Sequence, residues 1–324
     1  MQVVNERRKA AVAWLSVISN AALVIVKIII GLIIGSVSVI SEAIHSGVDL
    51  VAACIALFAV KNASKPADKD HPFGHGKFEN ISGTVEAILI FLAAGWIIYA
   101  AIKKFLHPVP METASLGVLV MFLSAIINII VSHFLFKIGK ETHSVALLGD
   151  AWHLRTDVYT SLGVMVGLAV ILGGGKLAPT INLQWVDPAA AIIVALLILR
   201  AAYVLTVQSA RDLLDVSLPP DEEQWIRGCI MSFSPALKGY HRLRTRKSGP
   251  YRFVEFHMIV DSEMSVLSAH RLADELTQSL KDHFPETNVL VHIEPCDGRC
   301  PPSCAEGCML TQDERDLKQQ HSNF

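Results

Sequence analysis

The chain carries neither a Gly-rich loop ending in Gly-Lys-Ser/Thr nor a Gly-x-Ser-x-Gly turn, so phosphate-loop ATP chemistry and serine-nucleophile chemistry have no seat in it. Any transport would have to run on a gradient. Charge is scarce too: 18% of the 324 residues are Asp, Glu, Lys or Arg, and they nearly cancel at a formal net charge of −2. No basic stripe with interleaved aromatics is present, which sets nucleic acid aside as a partner. The six cysteines are not spread as in a secreted disulfide framework: Cys54 lies in an apolar run, Cys229 is isolated, and four crowd between Cys296 and Cys308. A reduced, cytosolic C-terminal portion is the better reading.

What is abundant is apolar surface. Hydrophobic residues make up 52% of the chain, and they concentrate in its first two thirds. About 20 apolar residues suffice for a spanning helix. Six runs qualify: Ala11 to Ile34, Val37 to Val60, Ile81 to Ile102, Leu116 to Phe136, Ala151 to Leu172 and Asp187 to Val207. Arg7, Arg8 and Lys9 precede a run too long for a signal peptide, so this is read as a retained first span. An even number of spans places both ends on one side. Lysines and arginines gather before the first span, between the second and third (Lys61, Lys65, Lys69, Lys77) and between the fourth and fifth (Lys137, Lys140), whereas the opposite loops offer only Lys103, Lys104 and Lys176. Both termini are therefore expected to be cytoplasmic.

Two frames carry the chemistry of these spans: His45-Ser-Gly-Val-Asp49 and His153-Leu-Arg-Thr-Asp157. A His four residues before an Asp places both side chains on one helix face. Two such faces brought together offer two imidazoles and two carboxylates, a tetrahedral site suited to zinc. An ionised Asp near a bilayer centre costs about 2.5 to 3.5 kcal/mol on insertion scales, and paired frames of this kind point to a used site over mere helix pairing. Lys27, Glu42, Glu86 and Asn128 read as interhelical partners or snorkelling groups. The loop after the second span, Asp68-Lys-Asp-His71-Pro-Phe-Gly-His75-Gly-Lys77-Phe-Glu79, either holds a second cation through Asp68 or Asp70 with His71 and His75, or is a solvated loop.

The pattern changes at Leu218-Pro219-Pro220-Asp221, with Asp221 a candidate N-cap for a helix to about Phe233. Alternating runs around Tyr240 to Arg246 and Tyr251 to Val260 flank a turn at Ser248-Gly249-Pro250 and predict a β-hairpin. Val266 to Phe284 predicts an amphipathic helix burying Leu267, Leu272, Leu276 and Leu280, and Asn288 to Glu294 a third strand. The order αββαβ predicts a small ferredoxin-like or metallochaperone-like α+β domain. His241, His257, His270, His292 and Glu294 fall within it and favour a metal site. The domains are thus 1–215, a six-helix transmembrane domain; 216–297, an α+β metal-binding and dimerisation domain; and 298–324, a Cys-rich flexible tail. Cys296, Cys300, Cys304 and Cys308, spaced by four, suit a zinc or soft-metal ion as thiolates, or belong to a metal-scavenging tail.

The paired HxxxD frames, the DxxHPFGHGKxE loop, and the stretches GYHRLRTRKSGPYRFVEFHMIVD and VLVHIEPCD, in this order, resemble the cation diffusion facilitator family, especially its bacterial zinc and iron efflux branch. The resemblance covers the chain up to Asp297. It implies a homodimeric antiporter, not an enzyme, that sits in the bacterial inner membrane and exports divalent metal from the cytoplasm in exchange for protons. By motif position it implies a transport site of His45, Asp49, His153 and Asp157, a loop site of Asp68, His71 and His75, and a cytoplasmic site of His241, His257, His270, His292 and Glu294 at the dimer interface. His45 resembles the pattern associated with zinc, and Glu294 stands where relatives commonly have Asp. Zn²⁺ is then both cargo and regulator, with no organic cofactor. Other readings are Fe²⁺ or Cd²⁺ as main substrate, or a membrane protein that senses or scaffolds metal without moving it.

Overall fold

A computed structural model describes residues 2–34, 37–106, 115–159, 162, 185–299 and 302–322. The chain divides into two compact units, Met1–Leu213 and Leu214–Phe324.

The first unit is helical: α1 (Gln2–Ile34), α2 (Val37–Ala63), α3 (Lys77–Leu106), α4 (Ser115–Glu141), α5 (residues 145–159) and α6 (Val186–Leu213). Of the expected spans, the fifth begins inside α5 and continues beyond the described residues. Asn5–Ile30, Lys77–Lys103 and Phe122–Glu141 are long and apolar enough to cross a membrane. Ile33 of α1 (79% exposed) and Trp96 of α3 (71%) turn outward, a surface that suits lipid and would be a liability in water. α5 is central. Its Ala146, Leu147, Ala151 and Leu154 pack with Ala13, Leu57, Val60, Val131 and Leu135 of α1, α2 and α4, while its Val145 joins Ala87, Ile90, Ile198 and Leu205 of α3 and α6. The close approach rests on Gly83, where a Cβ would fall 2.6 Å from Val145 Cγ1 and 2.7 Å from Ser209 Oγ.

Charge inside this unit is paired across helices. Lys9, one of the cations counted before the first span, is buried; its Nζ lies 3.1 Å from Glu79 Oε1 and 2.8 Å from Glu6 Oε1. Ser144, just before α5, donates to the other Glu79 oxygen. Asn80 donates to Asp212 at 2.9 Å, tying α3 to α6.

The second unit follows the order αββαβ: α7 (Pro220–Met231), β1 (Gly239–Ser248), β2 (Tyr251–Asp261), α8 (Val266–His283) and β3 (Thr287–Cys296). β1 pairs antiparallel with β2, turning at Gly249 (φ 57°), and β2 pairs parallel with β3 through the α8 crossover. Period-two alternation sends Val254, Phe256, Met258 and Val260 of β2 against Ile226 and Ile230 of α7 and Ala269, Ala273, Leu276 and Leu280 of α8. Two sequence readings need correction. The cap of α7 is Pro219, with Pro220 at the first helical position, where its missing N–H leaves nothing unsatisfied; Asp221 lies in the first turn. Leu267 is 60% exposed, because nine residues of helix set it on the face opposite Leu276. The stretch read as a flexible tail forms α9 (Pro302–Ala305) and α10 (Gln312–Ser322).

Arg252 locks this unit. Its side chain, 5% exposed, gives Nε and Nη2 to the two Glu222 oxygens at 2.7 and 2.8 Å and lies over the Phe284 ring. We expect Arg252→Met, which strands Glu222, to lower the unfolding free energy of the C-terminal unit by about 2 to 3 kcal/mol. Urea unfolding followed through Trp225 is the measurement, and an unchanged midpoint would remove the lock.

Candidate metal centres

In the helical unit, Asp49 of α2 and His153 and Asp157 of α5 bring one ligand atom each within 4.8 Å of one another. His153 Nε2 lies 3.0 Å from Asp49 Oδ1, and both residues are buried. His153 Nδ1 is buried with no hydrogen-bond partner. His45 lies on α2 one turn before Asp49, and its side chain is outside the described residues. Two carboxylates and an imidazole meeting across two helices form the donor set that a borderline divalent cation takes.

Two further carboxylates face this group. Glu86 of α3, read from sequence as an interhelical partner, buries both oxygens without a hydrogen bond. Its methylenes lie where a Cβ on Gly149 would come within 3.0 Å. Asp150 of α5 is fully buried, with the Ser16 hydroxyl as a neighbour. The charge of each acts on His153 and on Asp49. In sequence, Glu86 is marked only by its place inside the third apolar run, and Asp150 only by its place at the start of the fifth.

Asp68, His71 and His75 meet in the α2–α3 loop, again with ligand atoms within 4.8 Å of one another. Asp68 Oδ1 accepts the N–H groups of Asp70 and His71 at 3.0 and 2.7 Å, and this turn brings His71 Nδ1 to 3.4 Å and His75 Nε2 to 3.3 Å from the carboxylate. Gly74 supplies the left-handed residue (φ 85°). His75 Nδ1 lies 3.1 Å from the Pro66 carbonyl, a contact that fixes the ring and leaves Nε2 facing Asp68. The backbone hydrogen bond from His71 is the largest influence holding the Asp68 carboxyl below its ordinary value. Asp70 contributes its N–H to the turn, and its carboxylate is not part of the group.

On the sheet, pairing register does the work. His241 pairs with His257 and His257 with His292, so the three imidazoles form one rung, with ring centroids 4.9 and 4.7 Å apart. The rung's β2 and β3 members lie on the face away from α7 and α8, because alternate residues of those strands fill the core. Glu294, two residues past His292, reaches back along it: Oε1 is 2.7 Å from His257 Nδ1 and 3.4 Å from His292 Nε2, and Oε2 is 3.0 Å from His241 Nε2. The His241 contact is close but not aligned as a hydrogen bond. His270 stands apart, 69% exposed on α8 beside Asp274 at 3.6 Å. His241, His257 and Glu294 bring one ligand atom each within 4.8 Å of one another, a donor set that suits a borderline divalent cation, while His292 reaches only the Glu294 carboxylate.

Residues 13–214 match the description "Cation efflux transmembrane domain", and residues 218–296 match "Cation efflux protein, cytoplasmic domain". The uncharacterized transporter sll1263 of Synechocystis sp. is 34% identical over 265 residues, 82% of this chain and 83% of its own length. The cation-efflux pump FieF of Shigella flexneri is 31% identical over 288 residues, 89% of this chain and 92% of its own. Among solved structures, CzrB is 41% identical and covers 24% of this chain and 98% of that one, at a TM-score of 0.23. The metal-bound C-terminal domain of the CzcD transporter from Thermotoga maritima is 26% identical and covers 24% and 94%, at a TM-score of 0.22. A helical transmembrane domain followed by a cytoplasmic domain with a small mixed sheet defines a membrane transporter of divalent cations that works in efflux, not an enzyme. The chain belongs to the cation diffusion facilitator family.

Glu294 supplies a pH signature. Burial pushes its carboxyl up, but the hydrogen bond to His257 and the charges of His257, His241 and His292 outweigh burial and hold it below its ordinary 4.5. A carboxylate depressed on folding stabilises the fold in full above its unfolded value and loses that contribution as pH falls through the folded one. The metal-free C-terminal unit should therefore weaken as pH drops from about 4.5 downward. Glu294→Gln should flatten that acid limb in urea midpoints taken across the range; an unchanged slope would clear Glu294 of the effect.

Proposed function

We propose that the protein is a homodimeric antiporter that exports Zn²⁺ from the cytoplasm in exchange for protons, from a bacterial inner membrane with both termini cytoplasmic. The carrying observation is the meeting of Asp49, His153 and Asp157 across α2 and α5, with His153 Nε2 at 3.0 Å from Asp49 Oδ1. His45, one turn from Asp49, completes a His₂Asp₂ set. Imidazole and carboxylate hold zinc firmly while letting it go more readily than thiolates would. Protons compete for the same lone pairs, and histidine titrates near pH 6.5, so protonation on the far side can discharge the ion.

The His241, His257, His292 and Glu294 rung serves as a regulatory site: metal bound there favours one arrangement of two subunits over another, a population shift in the sense of differential affinity. The Asp68, His71 and His75 group is a second cation site on the cytoplasmic side. Fe²⁺ and Cd²⁺ remain the competing cargoes.

The test is uptake of Zn²⁺, Cd²⁺, Fe²⁺ and Mn²⁺ into proteoliposomes under an imposed pH gradient, for the parent and for Asp157→Ala. Zinc flux should require the gradient and fall to background in the variant, a loss of at least about a hundredfold by analogy with the removal of a metal ligand. Flux indifferent to the gradient would overturn proton coupling. Zinc bound without flux in either protein would mark a sensor or scaffold.

A further inference from the structure

Past Glu294 the chain turns back on the sheet it has just completed. Tyr240 N–H donates to the Gly307 carbonyl and Met309 N–H to the Lys238 carbonyl, both at 3.0 Å, and Cys308 bridges antiparallel to Gly239. The contact is built around two glycines. A Cβ on Gly239 would fall 2.9 Å from the Gly307 oxygen, and one on Gly307 would fall 1.8 Å from the Tyr240 oxygen. Beyond it, Thr311 and Glu314 open α10, and Lys318 Nζ reaches Asp261 Oδ2 at 3.4 Å.

This docking carries chemistry-bearing side chains to one place. Cys304 and Cys308 come to line a cavity of about 330 Å³ whose wall also holds Cys296, at the end of β3. All three cysteines are half-buried. The same cavity is lined by Lys238, Arg299, Arg315 and Lys318 together with Glu294 and Asp297; Arg299 lies 3.6 Å from Asp297, Lys318 3.4 Å from Asp261, and the Arg315 Nε is buried without a hydrogen-bond partner. Thiolate is the form of cysteine that binds metal.

We propose that Cys296, Cys304 and Cys308 bind a thiophilic divalent d¹⁰ cation, Zn²⁺ or Cd²⁺, as thiolates within this cavity. Each thiol that coordinates gives its proton to solvent. Three thiolates around a dication carry a net charge of about −1, toward which Lys238 and Arg315 supply positive charge. Among the described residues the cysteines do not yet form a group with ligand atoms within 4.8 Å of one another, so the ion draws the segment of Cys304 and Cys308 toward Cys296. Docking on β1 thus presents Cys304 and Cys308 to the ion, and binding completes the group. Cys300 lies outside the described residues and is given no part. The thiols stand apart from the transport reading: Cys304 and Cys308 lie beyond residue 296, where the match to the cytoplasmic domain ends, although His241 and Glu294 of the rung line the same cavity.

The experiment is a Cd²⁺ titration of the reduced, full-length protein in detergent, reading the thiolate-to-cadmium charge-transfer band in the ultraviolet and the rate at which a disulfide reagent labels the thiols. The parent should develop the band and show slowed labelling. The double variant Cys304→Ser/Cys308→Ser should lose both, and Gly307→Val, which keeps every cysteine but cannot dock, should need at least about tenfold more Cd²⁺ for half-saturation. Asp157→Ala should keep the band while losing flux, so failure here and failure of the transport reading are separable. A band that persists in the double variant, a Gly307→Val protein that binds as tightly as the parent, or labelling unaffected by Cd²⁺ would each overturn the proposal.

Discussion

An ionised side chain taken out of water costs several kcal/mol unless another group offsets it, and in an apolar bundle that constraint decides which helices must touch. Lys9 is buried because Glu6 and Glu79 answer it, and Glu79 is buried because Lys9 and Ser144 do. Those contacts join α1, α3 and the start of α5. Asn80 and Asp212 then join α3 to α6. With α5 fixed on both sides, His153 and Asp157 are delivered to Asp49 of α2. Around that meeting point the offsets run short: Glu86 and Asp150 add buried carboxylates with no cationic side chain in contact among the described residues. A dication is the kind of cargo such a field favours.

The C-terminal unit solves a different problem, the alignment of donors from three separate strands. Register accomplishes it. A slip of one residue between β2 and β3 would turn His292 into the core and bring Val291 or Ile293 to the rung. The bulge between His241 and Arg244, with Arg242 at φ 52°, absorbs an irregularity on β1 while keeping His241 opposite His257. Arg252, held by Glu222 and by the Phe284 ring, anchors the start of β2, five residues before His257.

Much of this was legible in the sequence, for reasons that can be traced residue by residue. Helical periodicity put His153 and Asp157 on one helix face, whereas the grouping of His241, His257, His292 and Glu294 came only from the family resemblance, because strand assignment alone left their distances open. The order αββαβ followed from turn chemistry at Ser248-Gly249-Pro250 and from the Leu276 and Leu280 stripe. What escaped were facts of tertiary contact. Nothing local announces that Lys9 is buried, that Leu267 falls on the wrong side of α8, or that His270 stands away from the other histidines. The docking of Gly307 on Gly239 was invisible because a glycine in a Cys- and Pro-rich stretch reads as slack chain, while its real use is to let two backbones nearly touch.

That docking also closes a door. β1 is an outer strand of the sheet, and an outer strand with open amide and carbonyl groups invites another chain to extend it. The Gly307–Met309 segment occupies the groups of Lys238 and Tyr240 that such an intruder would need. A second copy cannot lengthen the sheet through this stretch of β1. The tail thus occupies on β1 the backbone groups that strand addition would use.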